Sequence, residues 1–245
     1  MVCLKNIASW IIILVVFLIL VHPVNANSSE IVIKVGFLLG SPYAFWSASS
    51  LTGIDVEICR LLSKEMKCQF EYYVLPFSAL DTNVLNILGL DLVAGGIHIT
   101  EKRKKLFTFS VPYLRSGLAI VLRKGLNWDG NVERITFAVK NGATGETLVR
   151  EWVKSGKKVK YEVLVSNQEI LAKLVLGQVD AGFFDYINAL YLNKNYGLQV
   201  WPRLIYEVEI GMVILNSRLA SRINDTMLKN KQQIKNIVMQ YVGSF

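Results

Sequence analysis

The chain has 245 residues, 52% of them apolar, with a formal charge of +8; its first 26 residues hold 20 of the apolar side chains and a single charge, Lys5. Set apart, they leave 219 residues at +7 with about 49% apolar content, ordinary for a globular protein and unlike a disordered chain, a membrane bundle or a low-complexity sequence. That length suits one large domain or two lobes of about 100 residues each.

Lys5 opens a short basic region, Ile7 to Val21 is almost wholly apolar, and Val24-Asn25-Ala26 ends on the small residue that a signal peptidase needs. Residues 1–26 are therefore expected to be a signal peptide, since an apolar run of about 15 residues falls short of the ~20 that span a bilayer. The expected location is the periplasm, as a soluble protein. Cys3 leaves with the signal, and no cysteine follows Ala26 as a lipoprotein anchor would require. In an oxidising compartment Cys59 and Cys68 are a candidate disulfide; the alternative is a pair of small buried thiols. The basic residues are scattered except at Lys102-Arg103-Lys104-Lys105, and export separates the chain from nucleic acid, so no nucleic-acid partner is expected.

Ile31 to Leu39 has the pattern of a buried first strand, followed by the Ser41-Pro42-Tyr43 turn and a loop of aromatic and small residues suited to lining a pocket. Thr52 is placed to cap a helix whose Ile54, Ile58, Leu61 and Leu62 share one face. Cys68 to Val74 is the next strand, Ser78 to Leu88 a second helix stopped by Gly89, and Leu90 to Gly95 a third strand. The order so far is β-α-β-α-β.

The same order returns after Ile135 to Val139. Ser166 and Glu169 form a capping box, Ile170, Leu171, Leu174 and Val175 give a helix its apolar face, Gly177 stops it, and Val179 to Phe184 is a strand. Leu88-Gly89-Leu90-Asp91-Leu92 is echoed by Leu176-Gly177-Gln178-Val179-Asp180-Ala181, which predicts two related α/β lobes. The apolar strands Leu118 to Leu122 and Ile210 to Leu215 would form a two-strand hinge between them. Two short amphipathic helices after Leu219 would pack on the first lobe. The expected division is 27–118 with 214–245 as lobe 1 and 119–213 as lobe 2.

Once His22 is assigned to the signal, His98 is the one histidine left, and neither a CxxC pair nor an HExxH helix occurs; no metal site or cofactor is expected. The GxSxG, GxGxxG and GxxxxGK[ST] signatures are also missing. What stands out is Gly95-Gly96-Ile97-His98-Ile99-Thr100-Glu101-Lys102-Arg103 after a buried strand. With Thr100 as the cap, Arg103 sits in a first helical turn, where a cation opposes the helix dipole unless an anion binds there. Its planar fork suits a carboxylate. Gly142-Ala143-Thr144-Gly145-Glu146 offers a second set of free helix amides, and Asp185 lies at the carboxyl end of a strand, where it would take a cation or cap the next helix. Together these parts describe a site for a zwitterion.

Several segments, in order, resemble solute-binding protein family 3, the periplasmic polar amino acid receptors of ABC transporters that include the glutamine- and lysine/arginine/ornithine-binding proteins. They are Thr52-Gly53-Ile54-Asp55-Val56-Glu57; Ile99 to Lys105 with Phe109-Ser110-Val111-Pro112-Tyr113; Val139 to Thr144; and Gly177 to Asp185. The resemblance implies the two-lobed type II periplasmic binding protein fold, an α/β architecture with the ligand in the cleft. By it, Arg103 holds the ligand carboxylate with the Thr144 turn, Asp185 takes the ammonium with the Gly96 carbonyl, and Phe77 packs on the ligand side chain.

Two departures bear on specificity. His98 stands where relatives carry a small hydroxyl residue, and the Gly36 to Tyr43 segment is about one residue short where relatives place selecting groups, leaving Tyr43, Phe45 or Trp46 as the aromatic. Lys140 matches a lysine of the glutamine-binding members, and no acid near Leu38 would neutralise a cationic side chain, which favours a polar neutral or acidic ligand over arginine. The implied activity is capture of a free amino acid by hinge closure and delivery to an ABC permease in the inner membrane, by a monomer that is not an enzyme. Two other readings share the scaffold: a cyclohexadienyl dehydratase-like enzyme with Glu146 or Glu169 as its acid, and a ligand-sensing receptor domain.

Overall fold

A computed structural model of the protein describes residues 31–242; the expected signal peptide lies outside them. The first strand, β1 (Val32–Leu38), is buried on nearly every residue past Lys34. A small hairpin of β2 (Phe45–Ser47) and β3 (Ser50–Thr52) leads into helix α1 (Ile54–Met66). Ile54, Ile58 and Leu62 are buried on its inner face as their spacing requires. Thr52 is not the cap: Gly53 occupies that position without a side-chain bond, and the Thr52 hydroxyl pairs with the Tyr241 hydroxyl at 3.0 Å.

Strand β4 (Gln69–Leu75) follows, then the helix expected from Ser78 to Leu88 divides. A 3-10 turn at Phe77–Ala79 precedes α2 (Thr82–Leu88), because the Asp81 carboxylate accepts the amides of Asn83 and Val84 and starts the helix there. Gly89 ends it at φ 60°. Strand β5 (Leu92–His98) runs three residues past the expected Gly95 and carries His98 at its tip. The short α3 (Glu101–Lys104), β6 (Thr108–Phe109) and the long β7 (Leu114–Leu122) complete this half.

The second half repeats the order: β8 (Thr136–Lys140), α4 (Thr144–Lys154), β9 (Lys160–Leu164), α5 (Asn167–Val175), β10 (Ala181–Asp185) and α6 (Tyr186–Tyr196). The Ser166 hydroxyl accepts the Glu169 amide at 3.2 Å, as the capping box predicts. Then come β11 (Gln199–Val200), β12 (Tyr206–Ile214), α7 (Ala220–Lys229) and α8 (Lys231–Val242). The two last helices pack on α1 through Ile223, Met227, Ile234 and Val238.

Ten strands form one sheet in the order β4-β1-β5-β12-β7-β10-β8-β9, with β6 added to β12 and β11 to β7. Strands β4, β1 and β5 are mutually parallel, as are β9, β8 and β10, and between the two trios β12 and β7 run antiparallel to each other and to their neighbours. Each trio places its first strand in the middle, so the halves share one topology. Separate apolar cores follow: one around Phe37, Ile58 and Met212, another around Phe137, Val149 and Ile120. Strand β7 feeds both, with Leu114 in the first and Leu118 in the second.

The repeated stretch, a helix-stopping glycine followed closely by an aspartate, has a physical task. The Asp91 carboxylate accepts the Lys34 amide at 2.9 Å, and the Asp180 carboxylate accepts the Thr136 amide at 2.9 Å. In each half, one aspartate thus ties the start of the third strand to the start of the first. At Gly145 the approach of α4 to β10 is so close that a Cβ would stand 2.4 Å from the Phe183 Cβ.

Cys59 and Cys68 are both buried thiols with no disulfide between them. Cys59 is fully buried on the inner face of α1. The chain reverses at Lys67, in the left-handed conformation, before it reaches Cys68.

Leu62 is fully buried against the first core, so Leu62→Ala is expected to cost about 2–5 kcal/mol of stability; a denaturant-unfolding midpoint that stays put would contradict this packing.

Candidate functional site

The carboxyl ends of the parallel strands from both halves face one cleft. Its cavity of ≈ 60 Å³ is lined by Tyr43, Phe77, Gly96, His98, Arg103, Lys140, Thr144 and Asp185, all eight of the residues singled out in the sequence. Leu39, Gly40, Asn167 and Phe183 are also at its wall.

On the first side, Asp55 is wholly buried beneath β5, where one carboxylate oxygen accepts the amides of Gly95 and Gly96, each at 2.7 Å. Burial pushes its pKa up to about 6, against the opposing hydrogen bonds. This anchoring holds Gly96 at φ +66°, where a Cβ would strike the Tyr43 ring at 2.4 Å. Tyr43 therefore packs flat on a residue without a side chain and sends its hydroxyl across the cleft.

The Thr100 hydroxyl accepts the Arg103 amide at 3.3 Å, the cap expected from the sequence. The Arg103 guanidinium turns inward and donates to the carbonyls of His98, at 3.1 Å, and Gly142, at 3.4 Å. Burial lowers its pKa to about 10. Lys140, at the end of β8, places Nζ 3.5 Å from the centre of the Phe77 ring. Burial, then the nearby Arg103, bring its pKa down to about 7.

Asp185 performs one of the two tasks foreseen for it, the capping of the next helix. Oδ1 caps α6 by accepting the amides of Ile187 at 3.0 Å and Asn188 at 3.4 Å, and it also accepts the Tyr43 hydroxyl at 2.5 Å. Oδ2 accepts the Ser116 hydroxyl at 2.5 Å and faces His98 Nε2 at 3.1 Å. A carboxylate only accepts, so Nε2 carries a proton. His98 Nδ1 lies 3.2 Å from the Thr144 hydroxyl. One imidazole thus joins β5 of the first half to two elements of the second.

Ser116 and Asp55 were not among the candidate residues. A polar serine inside the apolar run of β7 is a visible signal for the first; Asp55 is hidden by lying on a helix among apolar neighbours. Glu146 accepts the Gly142 amide and pairs with Arg150, while the Glu169 carboxylate accepts the Val165 amide and the Ser166 hydroxyl. Neither carboxylate lines the cleft. Among the described residues no cluster could hold a metal ion, and no helix is long and apolar enough to cross a membrane.

Residues 33–244 match the bacterial extracellular solute-binding proteins, family 3, and the chain belongs to that family. It has the two-lobed type II periplasmic binding fold. It is 31% identical over 160 residues to a Vibrio harveyi protein named as an amino-acid ABC transporter-binding protein, covering 64% of this chain and 63% of that one. The match thus spans under two thirds of that relative's length. A glutamine-binding protein of a Bacillus subtilis ABC transporter is 28% identical over 200 residues, 76% of this chain and 70% of its own. The solved structure of an ancestral arginine-binding protein bound to arginine superposes with a TM-score of 0.78 at 27% identity, covering 86% of this chain and 98% of that chain. The family is one of binding proteins, and neither the enzyme nor the sensing-receptor reading is favoured.

A lysine whose folded pKa is lowered to about 7 from 10.5 binds fewer protons folded than unfolded between those values, so its contribution to stability rises with pH across that window and is lost as pH falls to 7. Lys140→Met is expected to flatten the rise of melting temperature between pH 7 and 10 relative to the wild type; parallel curves would show that the ammonium is freely solvated.

Proposed function

We propose that the protein is an extracytoplasmic substrate-binding protein that captures a free polar amino acid between its lobes and delivers it to an ABC-type permease. The observation that carries this reading is the convergence in one cleft of Arg103, the Thr144 turn at the start of α4, and Asp185. A guanidinium beside free helix amides suits an α-carboxylate, and a carboxylate opposite suits an α-ammonium. The relatives' names point the same way. Export by a signal peptide at residues 1–26, a periplasmic location and a monomeric state belong to the same proposal.

Closure follows from where the groups sit. His98 and Arg103 belong to the first half, Thr144 and Asp185 to the second, so a ligand held by all four favours the form in which the halves meet. The direct bonds from Tyr43 and His98 to Asp185 occupy the acceptors an ammonium would use. An entering amino acid takes over at least one of them, with the Gly96 carbonyl as its second acceptor and Phe77 against its side chain.

A thermal-shift panel of free amino acids tests the assignment, since a ligand at 100 times its Kd stabilises by about 2.7 kcal/mol. Arg103→Ala is expected to weaken the best ligand by about 2–5 kcal/mol, because it strands the ligand carboxylate; titration calorimetry with near-unchanged affinity would remove Arg103 from the site.

A further inference from the structure

The charges of the cleft do not balance. Arg103 and Lys140 are its cations, and among the described residues neither forms an ion pair with a carboxylate. Arg103 donates only to carbonyls, and the Lys140 ammonium rests on the face of Phe77. Asp185 is the one acid at the wall. Its two oxygens already take five donors: Tyr43, Ser116, His98 and the amides of Ile187 and Asn188. That fills the roughly four lone-pair sites of a carboxylate and leaves nothing for Lys140.

With Lys140 protonated, a zwitterionic ligand adds one charge of each sign and leaves one cation uncompensated. A cationic side chain makes the excess worse. An amino acid with a second carboxylate removes it. We infer that the site selects a dicarboxylic amino acid, with the α-carboxylate on Arg103 and the side-chain carboxylate taken by Lys140 above the Phe77 ring.

This rests on the amino-acid-binding reading and narrows it. The ring supports the arrangement, because an ammonium held on an aromatic face keeps its other donors for an anion. The charged groups that face Lys140 are Arg103, which drives its proton off, and Asp185, which holds it on more weakly. With the empty-site pKa at about 7, a bound carboxylate beside Nζ raises it, so an acidic ligand is taken up together with a proton at pH 8 and a neutral one is not.

Titration calorimetry of the wild type and Lys140→Met with L-glutamate, L-glutamine, L-aspartate and L-asparagine tests this, each acid and its amide being nearly the same shape. The wild type is expected to bind an acid at least tenfold more tightly than its amide, with proton uptake at pH 8 seen as a buffer-dependent heat. Lys140→Met is expected to reduce that ratio at least tenfold, and Lys140→Arg to keep it, which separates loss of the charge from loss of the fold. An amide bound as tightly as its acid, or a ratio unchanged in Lys140→Met, overturns the inference while the amino-acid reading stands. If none of the four binds, the dicarboxylic assignment fails, and only capture of another free amino acid would keep the broader reading.

Discussion

The carboxylate of Asp185 is the point on which the cleft depends. It ends the third strand of the second half, starts the helix that follows, and receives the hydroxyl of Tyr43 and the imidazole of His98 from the opposite half. A buried carboxylate is costly without such donors. The same need that fixes its local conformation therefore draws the halves together, and whatever occupies the cleft competes for these bonds.

On the first side the corresponding fixed point is Asp55. By clamping the amides of Gly95 and Gly96 it makes the end of β5 a rigid platform. Tyr43 packs on Gly96, His98 extends from the same strand, and Arg103 follows one turn later. The two antiparallel strands β7 and β12 join the two sides.

The repeat was legible because its causes are local. A glycine that stops a helix and an aspartate two or three residues on are visible in one stretch of chain, and in both halves that aspartate binds the first strand's amide. The caps at Thr100 and Ser166 and the apolar face of α1 were legible for the same reason. Thr52 misled because a hydroxyl before a helix is a cap only when the backbone turns it toward the helix amides; here Tyr241, far away in sequence, takes it. The helix from Ser78 began late because Asp81 offered a better cap. Cys59 and Cys68 follow the other reading open to them, two buried thiols.

The sequence by itself determined the two α/β halves, the strand ends that face one another, and the identity of the charged groups there, since periodicity, caps and glycine stops act over a few residues. The tertiary structure alone decided which charges meet. That Asp185 is saturated by Tyr43, Ser116 and His98 while Lys140 is left on Phe77 depends on distances between residues up to 142 positions apart. Only the folded geometry leaves Arg103 and Lys140 facing one acid whose acceptors are already taken, because a carboxylate has a limited number of acceptor sites and the packing determines which donors reach them first.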